Sequence, residues 1–290
     1  MGLQGRINGE LGRHLHSAIA AATVSFVVGT TILLVFVAIR QRGGIARLQP
    51  RRMKWWWWWL GGLAGAAVVA STAQGVPEIG VALVSVCVVA GTTVGALGVD
   101  QAGLGPGGRQ SATPMRIAGA ALAVGAVALG VVGDRHASVR PALFAALFLA
   151  GAASAVQQAA NGQVRRVAGS TAVASLVSFA GGTIALLVAS LVRGDLTGGH
   201  WPTTWWLYVG GALGAVYIAL AAVAVGELGV LRLSLATVAG QLVAAVILDI
   251  VWPAPGITLR VQTVVGAALT LVAVAVTGLG RRQAVTSPAP

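Results

Sequence analysis

The chain is built from long apolar runs, and short connections rich in glycine, proline or basic residues separate them. Nine runs reach or approach the length of about 20 apolar residues that a membrane-spanning helix needs. Transmembrane strands would instead alternate polar and apolar positions over about 10 residues, and these runs do not. The pattern therefore predicts an all-α, polytopic membrane helix bundle, with spans at 17–39, 55–76, 79–99, 114–132, 138–160, 169–192, 203–226, 229–251 and 261–279.

The two halves of the chain resemble each other. Residues 8–35 match residues 161–188 at an offset of 153, and 13 of these 28 positions are identical. Residues 61–100 match residues 210–249 at an offset of 149, with 17 of 40 identical. Chance identity is raised by the abundance of Ala, Gly and Val, but polar matches held in one register indicate a true repeat. These polar matches include Asn8/Asn161, Ser17/Ser170, Ser25/Ser178, Thr30/Thr183, Glu78/Glu227 and Asp100/Asp249.

The repeat predicts ten spans, whereas nine are visible. The second unit has five spans, and Gln157 and Asn161 end its first one, while Gln4 and Asn8 hold these places in the first unit. Either the true start lies upstream of Met1 or the chain has lost one helix. We favour the first explanation, because a five-helix unit without one member leaves packing faces open to lipid. The expected units are 1–133, which lacks its first helix, and 138–282, followed by a polar tail at 283–290.

Five spans is an odd number, so the two units would insert in opposite senses. Twelve basic residues outside the spans fall on the side that holds loop 40–54 and the C-terminus, and six fall on the other side. The excess places loop 40–54 and the C-terminus in the cytoplasm. Five consecutive tryptophans, Trp55 to Trp59, are typical of an aromatic belt at the membrane interface. An inverted repeat of this kind is a common architecture of secondary transporters.

Composition agrees with this picture and excludes other classes. Hydrophobic residues make up 57% of the chain and charged residues 9%, against about 25% charged in soluble proteins. The net charge of +12 comes from short basic clusters between apolar runs, so it indicates membrane orientation and no nucleic-acid partner. Cys87 is the single cysteine and lies in an apolar run, and no metal-ligand spacing occurs. We therefore expect no metal, no cofactor, and a monomer or homodimer in the lipid bilayer.

Three charged residues are candidates for function because intramembrane charges are costly. Glu78 and Glu227 each lie between two spans, just before a glycine, where a carboxyl group facing a cavity would exchange protons. The favoured alternative is an acid stabilised by the dipole of the following helix. Arg232 lies one turn inside its span, and three roles are open to it. It either extends to the membrane surface, which we favour, or pairs with Glu227, or attracts an anionic substrate.

Neutral polar residues form the second group of candidates. Gln157 and Asn161 are four residues apart and share a helix face, as do Gln4 and Asn8. These amides either line a vestibule or lock the turn into the next helix at Gly162. Gln241 lies in the middle of a span and either contacts substrate or, as we favour, bonds another helix. Ser25 and Ser178 belong to small-residue stripes, for which close helix packing is the favoured role.

Four motifs of the second half stand out: Gln157-Gln-Ala-Ala-Asn161-Gly, Ala174-Ser-Leu-Val-Ser178-Phe-Ala-Gly-Gly182-Thr183, Val238-Ala-Gly240-Gln241-Leu and Asp249. These motifs resemble the YdcZ-type family of bacterial inner-membrane proteins in the drug/metabolite transporter superfamily, which also holds EamA-like exporters and small multidrug resistance proteins. The resemblance covers nearly the whole chain in two copies. The first copy departs from it, because Gly91-Thr92-Thr93 stands where the second has Gly240-Gln241-Leu242.

The resemblance implies an exporter of a small molecule in the bacterial inner membrane. An inverted repeat adds alternating access as the expected mechanism. We expect proton coupling through Glu78 or Glu227 and no enzymatic activity, because the chain has no plausible catalytic constellation. The alternative is a non-transporting membrane protein, either an intramembrane enzyme or a scaffold subunit.

Overall fold

The computed structural model describes residues 1–40, 61–132 and 141–286, without the side chains of 132, 218–219, 221–235 and 278–286. Within these ranges it contains helices and no strands, which confirms the all-α prediction. Five described helices, α2 to α6, are long and apolar enough to cross a membrane. In chain order the elements are α1 (Gly2–Leu15), α2 (Ala18–Arg40), α3 (Gly61–Gln101), α4 (Pro114–Val132), α5 (Pro141–Ala168), α6 (Thr171–Arg193), a 3-10 turn (Trp205–Tyr208), α7 (Gly210–Val251) and α8 (Val261–Thr286).

Half of these helices begin close to the first residue of a predicted span. Helices α2, α4, α6 and α8 begin within two residues of the predicted positions. Helix α5 is longer than predicted and runs through Gly162 to Ala168, so the chain turns at Gly169, which has a φ of 70°. The turn expected at Gly162 is therefore wrong, and α8 extends into the predicted polar tail. The tryptophans 55–59 lie outside the described residues.

Helix α3 is a hairpin of two segments joined at Gly80. Gly80 has φ 82° and ψ 165°, a positive-φ conformation that only glycine adopts easily. A Cβ on Gly75 would lie 3.1 Å from Cγ2 of Val84, although a straight helix would separate these residues by about 13 Å. The chain therefore folds back at Gly80, as the two predicted spans 55–76 and 79–99 require. Each segment has about 20 residues, which matches the hydrocarbon thickness of a bilayer.

A short helix precedes the first predicted span. Helix α1 has 14 residues, and most of them are buried, including Gln4, Arg6 and Asn8. Its residues correspond in the repeat to 155–168, which form the second half of α5. The chain between Gly2 and Leu15 thus holds part of the helix that the nine predicted spans omit. Helix α1 packs against α2, α3 and α7, and these neighbours shield its polar residues.

The two halves contact each other reciprocally, as the two members of a symmetric dimer do. A Cβ on Gly29 would lie against the ring of Phe179, and a Cβ on Gly182 would lie against the ring of Phe26. The two rings stack with centroids 5.0 Å apart. The repeat partners Thr30 and Thr183 meet directly, with their Oγ1 atoms 2.7 Å apart. An internal two-fold axis therefore passes between α2 and α6.

The last helices of the two units, α4 and α8, run antiparallel. A Cβ on Gly119 would lie 2.8 Å from the carbonyl oxygen of Ala273, and one on Gly266 would lie 3.0 Å from that of Ala126. Each of these contacts is the repeat copy of the other, at an offset of 147. Equivalent helices of the two halves thus point in opposite directions, which is the arrangement that an inverted repeat needs. The unit boundaries 1–133 and 138–282 stay a prediction.

Equivalent caps begin α2 and α6. The hydroxyl of Ser17 accepts a hydrogen bond from the Ala20 amide at 3.1 Å, and that of Ser170 accepts one from the Val173 amide at 3.3 Å. Such caps satisfy an amide that has no partner within its own helix. The residue before each capping serine has a left-handed backbone conformation. It is His16 (φ 52°) in the first copy and Gly169 in the second.

We expect His16→Gly to raise the free energy of unfolding by about 0.5–1 kcal/mol, because a side chain is strained at positive φ. Gly169→Ala, at the matching position, should lower it by a similar amount. Thermal unfolding of the purified protein in detergent micelles measures both changes. Equal signs for the two variants would contradict this account of the turn.

Candidate functional site

Two matching polar clusters flank the internal two-fold axis. Gln4 donates a hydrogen bond to the hydroxyl of Ser25 at 3.4 Å, and Gln157 donates one to the hydroxyl of Ser178 at 2.8 Å. Both serines are almost fully buried, with 2% and 3% of their surface exposed. The sequence indicated all four residues but not their pairing. The amides therefore act between α1 and α2, and between α5 and α6, and do not lock a turn at Gly162.

Each cluster packs against glycines of the opposite half. A Cβ on Gly210 would overlap the side-chain oxygen of Asn8, and a Cβ on Gly65 would overlap the amide nitrogen of Gln157. Asn161 lies half-buried near Gly61, which is the repeat partner of Gly210. Because glycine lacks a side chain, the polar groups of one half reach the backbone of the other. The candidate site is thus shared between the two halves.

Asn8 is the amide of the clusters that is fully buried without a hydrogen-bond partner among the described residues. Only 1% of its surface is exposed, and neither its side-chain oxygen nor its side-chain nitrogen is hydrogen-bonded there. Leaving a buried polar group unpaired costs about 1–3 kcal/mol. Residues that carry such a cost are frequent at sites where a ligand supplies the missing partners.

A buried carboxylate, Asp249, holds the break of the α3 hairpin. Its two oxygens accept hydrogen bonds from the backbone amides of Val81 at 2.8 Å and Ala82 at 2.7 Å. These amides begin the second segment of the hairpin and have no partner within it, so the carboxylate caps the segment and interacts with its dipole. The sequence had identified Asp249 only through the repeat and the family motif, although its place near the end of an apolar span is itself a signal of a buried role.

Two arginines, one on α1 and one on α4, are buried in the bundle. Arg6 of α1 is 3% exposed and Arg116 of α4 is 2% exposed. Arg116 forms an ion pair of 2.5 Å with Asp100, which is the repeat partner of Asp249. The sequence did not single out either arginine, because each makes its buried contacts with residues outside its own helix.

Arg6 borders a cleft of about 300 Å³ at the end of α1. Its guanidinium lies 5.3 Å from the ring centroid of Trp252 and donates a hydrogen bond of 2.5 Å to the carbonyl oxygen of Pro253. The ring of Trp206 meets that of Trp252 edge-on at 5.5 Å. Glu10, also in the lining, pairs with Arg13 at 3.3 Å. The cleft thus combines charged groups with an aromatic wall.

Two of the remaining candidates, Glu78 and Gln241, make no hydrogen bond to the polar clusters among the described contacts. Glu78 is half-buried near the tip of the α3 hairpin, two residues before Gly80. Gln241 is half-buried in α7, and the expected bond to another helix is absent among the described contacts. The side chains of Glu227 and Arg232 fall outside the described residues.

These features define a polytopic helical membrane protein whose two halves share a polar interface. A family model described as "Putative inner membrane exporter, YdcZ" matches residues 1–129 and 142–276, nearly the whole chain. The chain belongs to this family, as its motifs predicted, and is thus assigned to the membrane transporters. No curated protein and no solved structure matches it.

Proposed function

We propose that the protein is a secondary transporter that exports a small molecule by alternating access between its two halves. The observation that carries the proposal is the polar interface at the internal two-fold axis, where Asn8 is buried without a partner among the described residues. Antiparallel α4 and α8 support it, because inverted repeats let one half rock against the other around a fixed site. The C-terminus would lie in the cytoplasm.

The substrate site in this proposal consists of Asn8, the pairs Gln4–Ser25 and Gln157–Ser178, and Asn161. Substrate groups would exchange hydrogen bonds with these amides as one side of the interface opens. The groups are neutral, so they select by hydrogen bonding and shape. The test is transport by the purified protein in liposomes, with an imposed pH gradient and a panel of cationic, neutral and anionic metabolites. If no solute moves, the proposed function is wrong.

Asn8→Ala should lower transport by tenfold or more while leaving the free energy of unfolding unchanged or raising it by about 1 kcal/mol. Alanine removes an amide that is buried without a partner, so stability should not fall. Transport in liposomes and thermal unfolding in detergent measure the two effects. Gln158→Ala is the control, because Gln158 is an exposed amide beside Gln157. A large loss of stability in Asn8→Ala, with transport retained, would assign Asn8 a structural role.

Proton coupling through Glu78 or Glu227 is the second part of the proposal. Support comes from the position of Glu78 at the hairpin tip, close to the break that a motion would bend. Glu78→Gln and Glu227→Gln should each lower uptake driven by a pH gradient by tenfold or more. Asp195→Asn serves as the control, because Asp195 pairs with Arg193 in an exposed connection. If both glutamine variants respond to the gradient as the parent does, these glutamates do not couple transport to protons.

A further inference from the structure

We infer that the cleft at the end of α1 binds a small organic carboxylate, with Arg6 as its anchor. The cleft is lined by α1, by the 3-10 turn and by the connection between α7 and α8. It is therefore built from both halves of the chain. The cleft is a second ligand site beside the one proposed at the two-fold axis. Only the transport of the bound carboxylate rests on the proposed function; its binding does not.

The first argument is an unused hydrogen-bond donor. Arg6 donates through Nη2 to the carbonyl oxygen of Pro253, but its buried Nε–H has no partner among the described residues. A buried guanidinium nitrogen without an acceptor is costly, and a carboxylate oxygen is the acceptor that fits it best. The guanidinium also lies 5.3 Å from the ring centroid of Trp252, a cation–π contact that restrains its position.

The second argument is the charge of the lining. Glu10 is engaged by Arg13 at 3.3 Å and lies 3.9 Å from His14, so its carboxylate is already compensated. Glu10 and Asp249 both attract Arg6 electrostatically, but the two oxygens of Asp249 already accept hydrogen bonds from the amides of Val81 and Ala82. Arg6 itself bonds a carbonyl oxygen, which leaves its positive charge without a carboxylate in direct contact among the described residues. An anionic ligand would supply the carboxylate contact that Arg6 lacks. A cationic ligand would be repelled by the guanidinium groups of Arg6 and Arg13.

The third argument comes from the other half, where the equivalent place is closed. Gln163 and Arg166 stand at the positions of Glu10 and Arg13, and they donate hydrogen bonds to Leu104 at 3.0 Å and Pro106 at 3.1 Å. Ala159 replaces Arg6, so this position carries no guanidinium. The connection between α3 and α4 thus lies directly on α5. The cleft, with its arginine, is specific to one end of the bundle.

The aromatic wall indicates the body of the ligand. Trp206 and Leu207 from the 3-10 turn and Trp252 present apolar surface beside the Arg6 donor. A volume of about 300 Å³ accommodates a carboxylate that carries a planar ring or a short branched chain. Benzoate is a suitable probe, with benzamide as a neutral analogue of the same shape and benzylamine as a cationic one.

Equilibrium dialysis of labelled benzoate against the purified protein in detergent tests the site. Benzoate should bind at least tenfold more tightly than benzamide or benzylamine. Arg6→Gln should weaken benzoate binding by tenfold or more, and Glu10→Gln should strengthen it severalfold, because it frees Arg13. Arg166→Gln, the matched control from the other half, should bind as the parent does. Thermal unfolding verifies that each variant is folded; if Arg6→Gln is not, Glu10→Gln still decides.

Equal affinity for benzoate and benzamide, or unchanged binding in Glu10→Gln, would overturn the inference. The binding measurement is separate from the liposome assay. Benzoate binding without transport of any solute would retain the site and reject the transporter, whereas transport of other solutes without benzoate binding would retain the transporter and reject the site.

Discussion

Replacing Asp249 with alanine is expected to lower the free energy of unfolding by about 3–5 kcal/mol. The carboxylate accepts two backbone hydrogen bonds, from Val81 and Ala82, and each charge-assisted bond of this kind is worth about 1.5–3 kcal/mol. Water is scarce in the bundle, so neither amide regains a partner cheaply. Chemical unfolding in detergent micelles would measure the change.

Asp249→Asn provides a graded comparison, because its amide oxygen retains one acceptor while the charge is lost. We expect it to fall between the parent and the alanine variant. Asp195→Asn, in the connection after α6 where its partner Arg193 is exposed, should change stability by less than about 1 kcal/mol. If Asp249→Ala unfolds within about 0.5 kcal/mol of the parent, Asp249 does not hold the hairpin break.

Gly62→Ala and Gly211→Ala are expected to destabilise the protein by about 2–3 kcal/mol each. These glycines are repeat partners, and a Cβ on either would overlap a backbone carbonyl oxygen, that of Ser178 for Gly62 and that of Ser25 for Gly211. A backbone atom cannot rotate away as a side chain can, so the helices would have to separate. The same unfolding measurement applies, and the two losses should be similar because the contacts are reciprocal.

Gly98→Ala is the matched control, since Gly98 lies in α3 and a methyl group added to it would meet no described atom within 4 Å. Alanine favours a helix over glycine by about 0.5–1 kcal/mol, so this variant should be neutral or slightly more stable. Transport should fall in the two destabilised variants and persist in Gly98→Ala. A loss confined to one of the pair would contradict the two-fold packing.

The sequence predicted the helices, the repeat and the candidate amides because each has a local signal. Apolar length marks a span, and polar identities such as Ser25/Ser178 mark positions that the two halves use alike. The break at Gly80 was also predictable, because a glycine follows a short polar segment between two apolar runs. These features depend on neighbouring residues and on comparison of the chain with itself.

The contacts across the bundle had no such signal. Asp249 meets Val81 across 168 residues, and nothing local to either residue indicates the other. Arg6 precedes the first predicted span and Arg116 lies at the start of another, and at such positions an exposed arginine and a buried one look the same in sequence. Gln4 and Gln157 were expected either to line a vestibule or to lock a turn, and their hydrogen-bond partners, 21 residues ahead on the next helix, had no signal in the sequence.

The dependence of the α3 hairpin on Asp249 has a consequence for biosynthesis. Val81 is synthesised 168 residues before the carboxylate that accepts its hydrogen bond. At about 5–20 residues per second, the ribosome needs roughly 8–34 s to cover this distance. The two backbone donors of the first half therefore lack their acceptor when they are made, and the hairpin reaches its final form only after about three quarters of the second half has been translated.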